Sequence, residues 1–105
     1  MPGNTSAEWG VYAIGANCAS ATTSGTSATV AIPNAADGNP ARYVRIVATG
    51  NAWIKPVVGS GSTVATGTGI LTGTQEFLLN VRGYTHIAHI QQGSAQTVNI
   101  CPVEV

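Results

Sequence analysis

Eight side chains in this sequence are of the types that carry out acid–base, nucleophilic or metal chemistry near neutral pH. They are His86, His89, Cys18, Cys101, Glu8, Asp37, Glu76 and Glu104. Such groups act on a substrate or hold a metal only where several of them converge on one site. Their spacing along the chain therefore decides which chemistry the sequence permits.

The two histidines do not form a metal-binding pattern. His86 and His89 are three positions apart in the segment THIAHIQ, whose apolar spacing is typical of a strand. Side chains three apart on a strand point to opposite faces, whereas zinc needs three or four ligands around one centre. We therefore expect no metal ion, and we interpret each histidine as a structural residue.

The remaining groups do not form a catalytic pattern. Asp37 lies in a turn between Ala36 and Gly38, and the chain has no G-x-S-x-G elbow that would present a serine nucleophile. The segment 67–69 (GTG) resembles the start of a phosphate-binding loop, but no helix pattern follows it. Each glutamate is interpreted as a solvated charge near a strand edge. The sequence predicts neither an enzyme nor a cofactor-binding protein.

The two cysteines lie near opposite ends of the chain, and their spacing is neither that of a zinc knuckle nor that of a CxxC redox pair. Two buried, reduced thiols are the preferred interpretation for a protein made in a cytosol. The alternative is a disulfide between Cys18 and Cys101, which would close a long loop worth about 4 kcal/mol in the chain-entropy model. The sequence leaves both interpretations open.

The elements that carry these residues are predicted to be strands. No window has apolar residues at the helical spacing, and the polar tracts are rich in Gly, Thr and Ser, which disfavour helices. The sequence predicts an all-β fold, a single antiparallel β-sandwich or jelly-roll-like barrel of about seven to eight strands. We expect one domain over residues 1–105, with residues 1–7 as a flexible N-terminal arm. The predicted strands are Glu8–Asn17, Thr26–Ile32, Arg42–Thr49, Ala52–Val58, Gln75–Val81, Thr85–Gln91 and Gln96–Pro102.

The segment Ala41–Val58 predicts a β-hairpin, because a Gly-Asn pair at 50–51 separates two alternating apolar runs. This pairing would place the large side chain of Trp53 opposite the small Ala48. Farther along, the Gly/Ser/Thr tract 59–73 is predicted to be the most mobile loop. Its apolar pairs allow a short strand within it, at 64–66 or at 70–71.

Alternation along the predicted strand Arg42–Thr49 assigns its residues to two faces. The face that enters the core has Val44, Ile46 and Ala48. The outward face is available to solvent or to a partner, and interfaces favour Trp and Tyr. The predicted interface residues are Tyr43, Arg45, Val47, Trp53 and Trp9.

Charge is scarce in this chain. Four basic and four acidic residues make up 8% of the sequence, whereas a typical domain has about 25%. The basic residues are scattered, which predicts no nucleic-acid partner. No run of about 18 apolar residues occurs, so we expect no membrane partner and a protein made and folded in a cytosol. Zero net charge and few ionic groups favour a homo-oligomer, with a monomer hydrated by Thr, Ser, Asn and Gln as the alternative.

Three stretches of the sequence resemble a pattern in small virion proteins of tailed bacteriophages. They are YVRIVATGNAWIK at 43–55, VATGTGILTGTQEFLLNVRGYTHIAHIQ at 64–91 and AQTVNICPVE at 95–104. These motifs fall in the last 60 or so residues, are structural in character and include no catalytic signature.

The resemblance implies a β-sandwich protein of the virion, made in the host cytoplasm, that decorates or cements the outside of the capsid. Its partner would be the major capsid protein or another virion protein, and it would act as a homo-oligomer such as a trimer. Related small β-domains also occur at the head–tail joint and in tails. A carbohydrate-binding β-sandwich module, with an exposed Trp or Tyr stacked on a sugar, is the alternative function.

Overall fold

A computed structural model describes residues 13–15 and 17–104 of the chain, and every regular element in these residues is a β-strand. The strands are β1 (Ala13–Ile14), β2 (Ala19–Thr22), β3 (Ala28–Ala31), β4 (Tyr43–Ala48), β5 (Ala52–Val57), β6 (Ile70–Leu71), β7 (Phe77–Asn80), β8 (His86–Gln91) and β9 (Thr97–Glu104). No helix in the described residues is long and apolar enough to cross a membrane. The predicted arm 1–7 and most of the predicted strand Glu8–Asn17 lie outside this part of the chain.

The strands form two antiparallel sheets. Sheet I has the order β2-β9-β4-β7, with the short β1 also paired to β9 beyond the start of β2. Sheet II has the order β3-β8-β5-β6. Successive strands from β2 to β5, and again from β6 to β9, alternate between the sheets, which is the strand order of a jelly roll. The prediction of an all-β sandwich is confirmed.

The core lies between the two sheets and follows the alternation of the strands. In β4 the side chains alternate strictly between half-buried and buried, so that Val44, Ile46 and Ala48 face inward as predicted. Ile46 pairs in register with Ile100 of β9, and Ile54 and Ile87 enter from sheet II. Full burial of each such side chain stabilises the fold by about 1.5–3 kcal/mol.

The predicted hairpin is wrong, because β4 and β5 lie in different sheets. Both neighbours of β4 are distant in sequence, β7 and β9, while β5 pairs with β6 and β8. Trp53 is therefore opposite Ile90 and Leu71, and it does not pair with Ala48. A two-residue hairpin turn of the primed types with Gly50 first would need a positive φ there, and Gly50 is not among the described glycines with positive φ.

Thr72 holds the crossing between the sheets in place. Its buried hydroxyl accepts a hydrogen bond from the Ala52 N–H at 3.0 Å and donates one to the Gly50 carbonyl at 2.8 Å. On the other side of the crossing, the Thr49 N–H donates to the Thr97 carbonyl at 3.0 Å. The backbone groups that a hairpin would have paired with each other are therefore satisfied by distant segments.

We predict that Thr72→Val destabilises the protein by about 1–3 kcal/mol, because the isosteric methyl leaves two backbone groups at the crossing without their partner. The exposed Thr22→Val on β2 is the matched control and should change stability by less than about 0.5 kcal/mol. Urea unfolding followed by tryptophan fluorescence measures both. Equal effects of the two substitutions would contradict this function of Thr72.

The tract 59–73 was predicted to be the most mobile loop, but part of it packs against sheet II. Val64 is only 4% exposed and packs with Val57 and Ala88 on the side of sheet II away from the core. The Val64 N–H donates to the Ser27 hydroxyl at 3.0 Å, and Thr29 donates to the Ser60 carbonyl at 3.0 Å. Within the tract, a short strand forms at Ile70–Leu71, one of the two predicted places.

Candidate interaction surface

The outer face of sheet I contains three of the predicted interface residues. Tyr43, Arg45 and Val47 alternate with the core residues of β4 and are all half-buried. On the neighbouring β7, Leu78 lies in register with Arg45 and is 50% exposed. We call this surface the sheet I outer face. It also includes Asn80 of β7, and Glu76 and Arg82 beside that strand. It combines three charged side chains, Arg45, Glu76 and Arg82, with the uncharged Tyr43, Val47, Leu78 and Asn80.

Two contacts orient the charges on the sheet I outer face. The Arg45 Nε–H donates to the Glu76 carboxylate, forming an ion pair between β4 and the residue before β7. The Arg82 guanidinium carbon lies 5.6 Å from the centroid of the Tyr43 ring, a cation–π distance. These contacts hold three long side chains against the sheet, which reduces the entropy they would lose when a partner binds.

Trp53 lies on the opposite side of the molecule from this surface. It points outward from sheet II, where it packs half-buried beside Val57 and Ile90 under the tract that contains Val64. Its indole N–H donates to the Gln92 side-chain carbonyl at 2.6 Å. Trp53 therefore does not belong to one surface with Tyr43, Arg45 and Val47, and Trp9 lies outside the described residues. Carbohydrate binding stays a prediction.

Leu78 is the most exposed large apolar side chain of the sheet I outer face. The sequence prediction did not include it among the interface residues. The signal was present in the run Phe77-Leu78-Leu79, because alternation must turn the middle residue outward when its neighbours face inward. Glu76 was interpreted as a solvated charge, and its ion pair with Arg45 joins two strands that are far apart in sequence. Strand pairing, which the sequence did not reveal, places both residues here.

Cys18 and Cys101 form a disulfide in the structure, whereas two reduced thiols were the preferred interpretation. Cys18 immediately precedes β2, and the β2–β9 register continues to place it opposite Cys101. Their Cα atoms are 4.3 Å apart, as expected for a non-hydrogen-bonded antiparallel pair at about 4.5 Å. The cystine fastens the start of β2 to the middle of β9, with Cys18 exposed and Cys101 buried.

The two histidines point to opposite faces of β8, as the spacing predicted. His86 is half-buried, and its Nδ1 is 2.8 Å from the Thr85 hydroxyl. His89 is 3% exposed and faces the core in register with Ile54 and Ala28, and its Nδ1 has no hydrogen-bond partner in the described part of the chain. Burial lowers the pKa of His89 below its ordinary value of 6.5, because it disfavours the charged imidazolium.

This lowered pKa predicts loss of stability in mild acid. As the pH falls below about 6.5, the unfolded chain protonates His89 before the folded chain does, so the free energy of unfolding decreases until the lower folded pKa is passed. Above that range the effect is absent. His89→Leu should remove this contribution between pH 7 and pH 5, where most carboxylates stay ionised, and His86→Gln should keep it. Chemical denaturation at each pH measures the free energy of unfolding of the wild type and both variants. An unchanged pH dependence in His89→Leu would show that His89 is not its source.

Among residues 13–15 and 17–104, no three His, Cys, Asp or Glu side chains cluster as they would to hold a metal ion. Asp37 accepts hydrogen bonds from the backbone and side chain of Asn39 at 3.0 and 3.2 Å, which is a turn-forming arrangement. It lines a shallow groove of about 320 Å³ together with Arg42 and Tyr43.

Comparisons of the chain with protein-family models, with curated proteins and with solved structures found no match in any of the three.

Proposed function

We propose that this protein is a structural component of a bacteriophage virion, a decoration or cement protein that binds the outside of the capsid as a homo-oligomer. The observation that carries the proposal is the composition of the sheet I outer face, where Tyr43, Val47 and Leu78 lie beside the Arg45–Glu76 ion pair and Arg82. Interfaces are enriched in aromatic residues and arginine, and this surface contains Tyr43, Arg45 and Arg82. The outer face of a sheet suits a protein partner better than a small molecule, which favours a concave site.

Three further features support the proposal. The jelly-roll strand order recurs in viral capsid proteins, although lectins share it, so that the fold alone does not choose a function. The chain has zero net charge and only eight charged residues, which favours burial of its surface in an assembly. The stretches that resemble small phage virion proteins include β4 and β7, the two strands whose residues form this surface.

The cement function is tested by binding to shells. Heads of the virus that encodes the chain are produced with the gene deleted, mixed with the purified protein and pelleted. Val47→Glu places a carboxylate on the sheet I outer face, at the end where the β4–β7 register continues to Glu76, and should weaken binding about tenfold or more. Ala31→Glu adds the same charge to an exposed position of sheet II and should leave binding unchanged.

The proposal fails if the wild-type protein does not co-sediment with heads, or if the two variants lose binding equally. Circular dichroism first checks that both variants are folded. Binding to isolated tails and not to heads would move the function to the head–tail joint or the tail. A reproducible glycan hit that quenches tryptophan fluorescence, without head binding, would favour the carbohydrate-binding alternative.

A further inference from the structure

The outer edge of β7 presents backbone groups that no strand of residues 13–15 and 17–104 pairs with. The Val81 N–H donates to the Arg42 carbonyl at 2.8 Å, which fixes residues 77, 79 and 81 as those whose backbone groups point toward β4. The N–H and C=O groups of Leu78 and Asn80 therefore point away from β4. No strand in the described part of the chain pairs with this edge, because β7 is the last strand in the order of sheet I.

This edge lacks the features that commonly protect an edge strand from pairing. Natural proteins place proline, lysine or a bulge on exposed edges. The strand Phe77–Asn80 has no proline and no charge, and Leu78 projects from it half-exposed. β6, the corresponding edge of sheet II, is only two residues long. The β7 edge is thus the better template of these two for an additional strand.

Opposite charges lie on either side of β7. Glu76 precedes the strand and is held by Arg45, and Arg82 follows it in a turn with its guanidinium over the Tyr43 ring. Both contacts keep the charges on the outer face of the sheet. A strand with an acid at one end and a base at the other is complementary to itself in the antiparallel direction.

We propose that the β7 edge pairs with the same edge of a second copy, antiparallel about a two-fold axis that passes beside Leu79. Leu78 of each copy then lies opposite Asn80 of the other, and each of these two pairs exchanges two N–H···O=C bonds. The same register brings Glu76 of each copy to Arg82 of the other. This isologous contact uses only groups that the single chain already orients.

The contact joins two copies of sheet I into one sheet twice as wide. An interface of one short edge buries less than the roughly 1,000 Å² of a stable complex, so the dimer is weak in solution and its dissociation constant is expected at about 10 μM or higher. On a particle, high local concentration would favour the contact. The pairing does not depend on the proposed function, because two copies can pair without any shell.

A charge-swap series tests the pairing by analytical ultracentrifugation from about 10 μM to 1 mM. Glu76→Arg and Arg82→Glu each place like charges across the two-fold contact and should weaken dimerisation about fivefold or more. The double variant Glu76→Arg/Arg82→Glu restores opposite charges and should recover dimerisation to within about threefold of wild type. The double variant loses the Arg45 ion pair that Glu76→Arg loses and the Tyr43 contact that Arg82→Glu loses, so its recovery relative to both single variants reports the contact between copies. Lys55→Glu on sheet II is the control and should have no effect.

Amide hydrogen exchange of the wild type supplies a second test that needs no variant. The N–H groups of Leu78 and Asn80 should exchange more slowly as the protein concentration rises, because the proposed pairing bonds them to the second copy. The Leu79 N–H, which already points to β4, should change little. A monomer at 1 mM, failure of a folded double variant to recover dimerisation, or Leu78 exchange that is independent of concentration while a dimer forms would overturn the proposal.

Discussion

Removal of the Cys18–Cys101 disulfide is expected to lower the free energy of unfolding by about 2–4 kcal/mol. The bond joins residues 83 positions apart, so it encloses most of the chain and strongly restricts the unfolded ensemble. The chain-entropy model gives about 4 kcal/mol for a loop of this length, and measured values are commonly smaller. The bond also fastens β2 to β9, whose pairing forms one edge of sheet I.

Guanidinium unfolding of the wild type, with and without dithiothreitol, measures this contribution. The double variant Cys18→Ala/Cys101→Ala should match the reduced wild type to within about 1 kcal/mol, and the reductant should not affect it. If reduction changes the stability of the wild type by less than about 0.5 kcal/mol, the cystine does not contribute to the fold as described. Mass spectrometry under non-reducing conditions confirms that the starting protein is oxidised.

Ile46→Ala is expected to destabilise the protein by about 2–5 kcal/mol, because it opens a cavity between the sheets. Ile46 is fully buried in the centre of β4 and pairs with the equally buried Ile100. Its neighbour Val47 lies on the other face of the same strand and is half-buried. Val47→Ala is therefore the matched control, with an expected loss below about 1 kcal/mol.

Equilibrium unfolding in urea, followed by circular dichroism, compares the two variants. A loss for Val47→Ala as large as that for Ile46→Ala would mean that both faces of β4 are covered in the single chain. The sheet I outer face would then be unavailable to a partner. The comparison thus tests the burial pattern on which the proposed surface depends.

Local pattern in the sequence predicted most of the described strands and the two faces of β4 correctly, but it missed β2 (Ala19–Thr22). Period-two alternation in YVRIVA assigned Val44 and Ile46 to the core and Tyr43 and Arg45 to the outside, because a half-buried strand constrains each side chain separately. The three-residue spacing of His86 and His89 likewise placed them on opposite faces of β8. These predictions required no knowledge of which strands are neighbours.

Pairing between distant strands could not be predicted in the same way. A Gly-Asn pair between two apolar runs favours a hairpin, but β4 obtains more partners by inserting between β7 and β9. That choice moved Trp53 to the opposite side of the molecule from Tyr43. It also brought β2, a run of small residues without a strong strand signal, beside β9, where Cys18 meets Cys101.

The proposal that this protein decorates a capsid is tested by finding where the protein lies on virus particles. Particles are purified by density gradient from the host culture that carries the gene, and head and tail fractions are analysed by quantitative mass spectrometry. A capsid decoration protein is expected in the DNA-filled head fraction, at a fixed ratio to the major capsid protein. Its absence from purified particles, or its confinement to the tail fraction, would contradict the assignment as a capsid decoration protein.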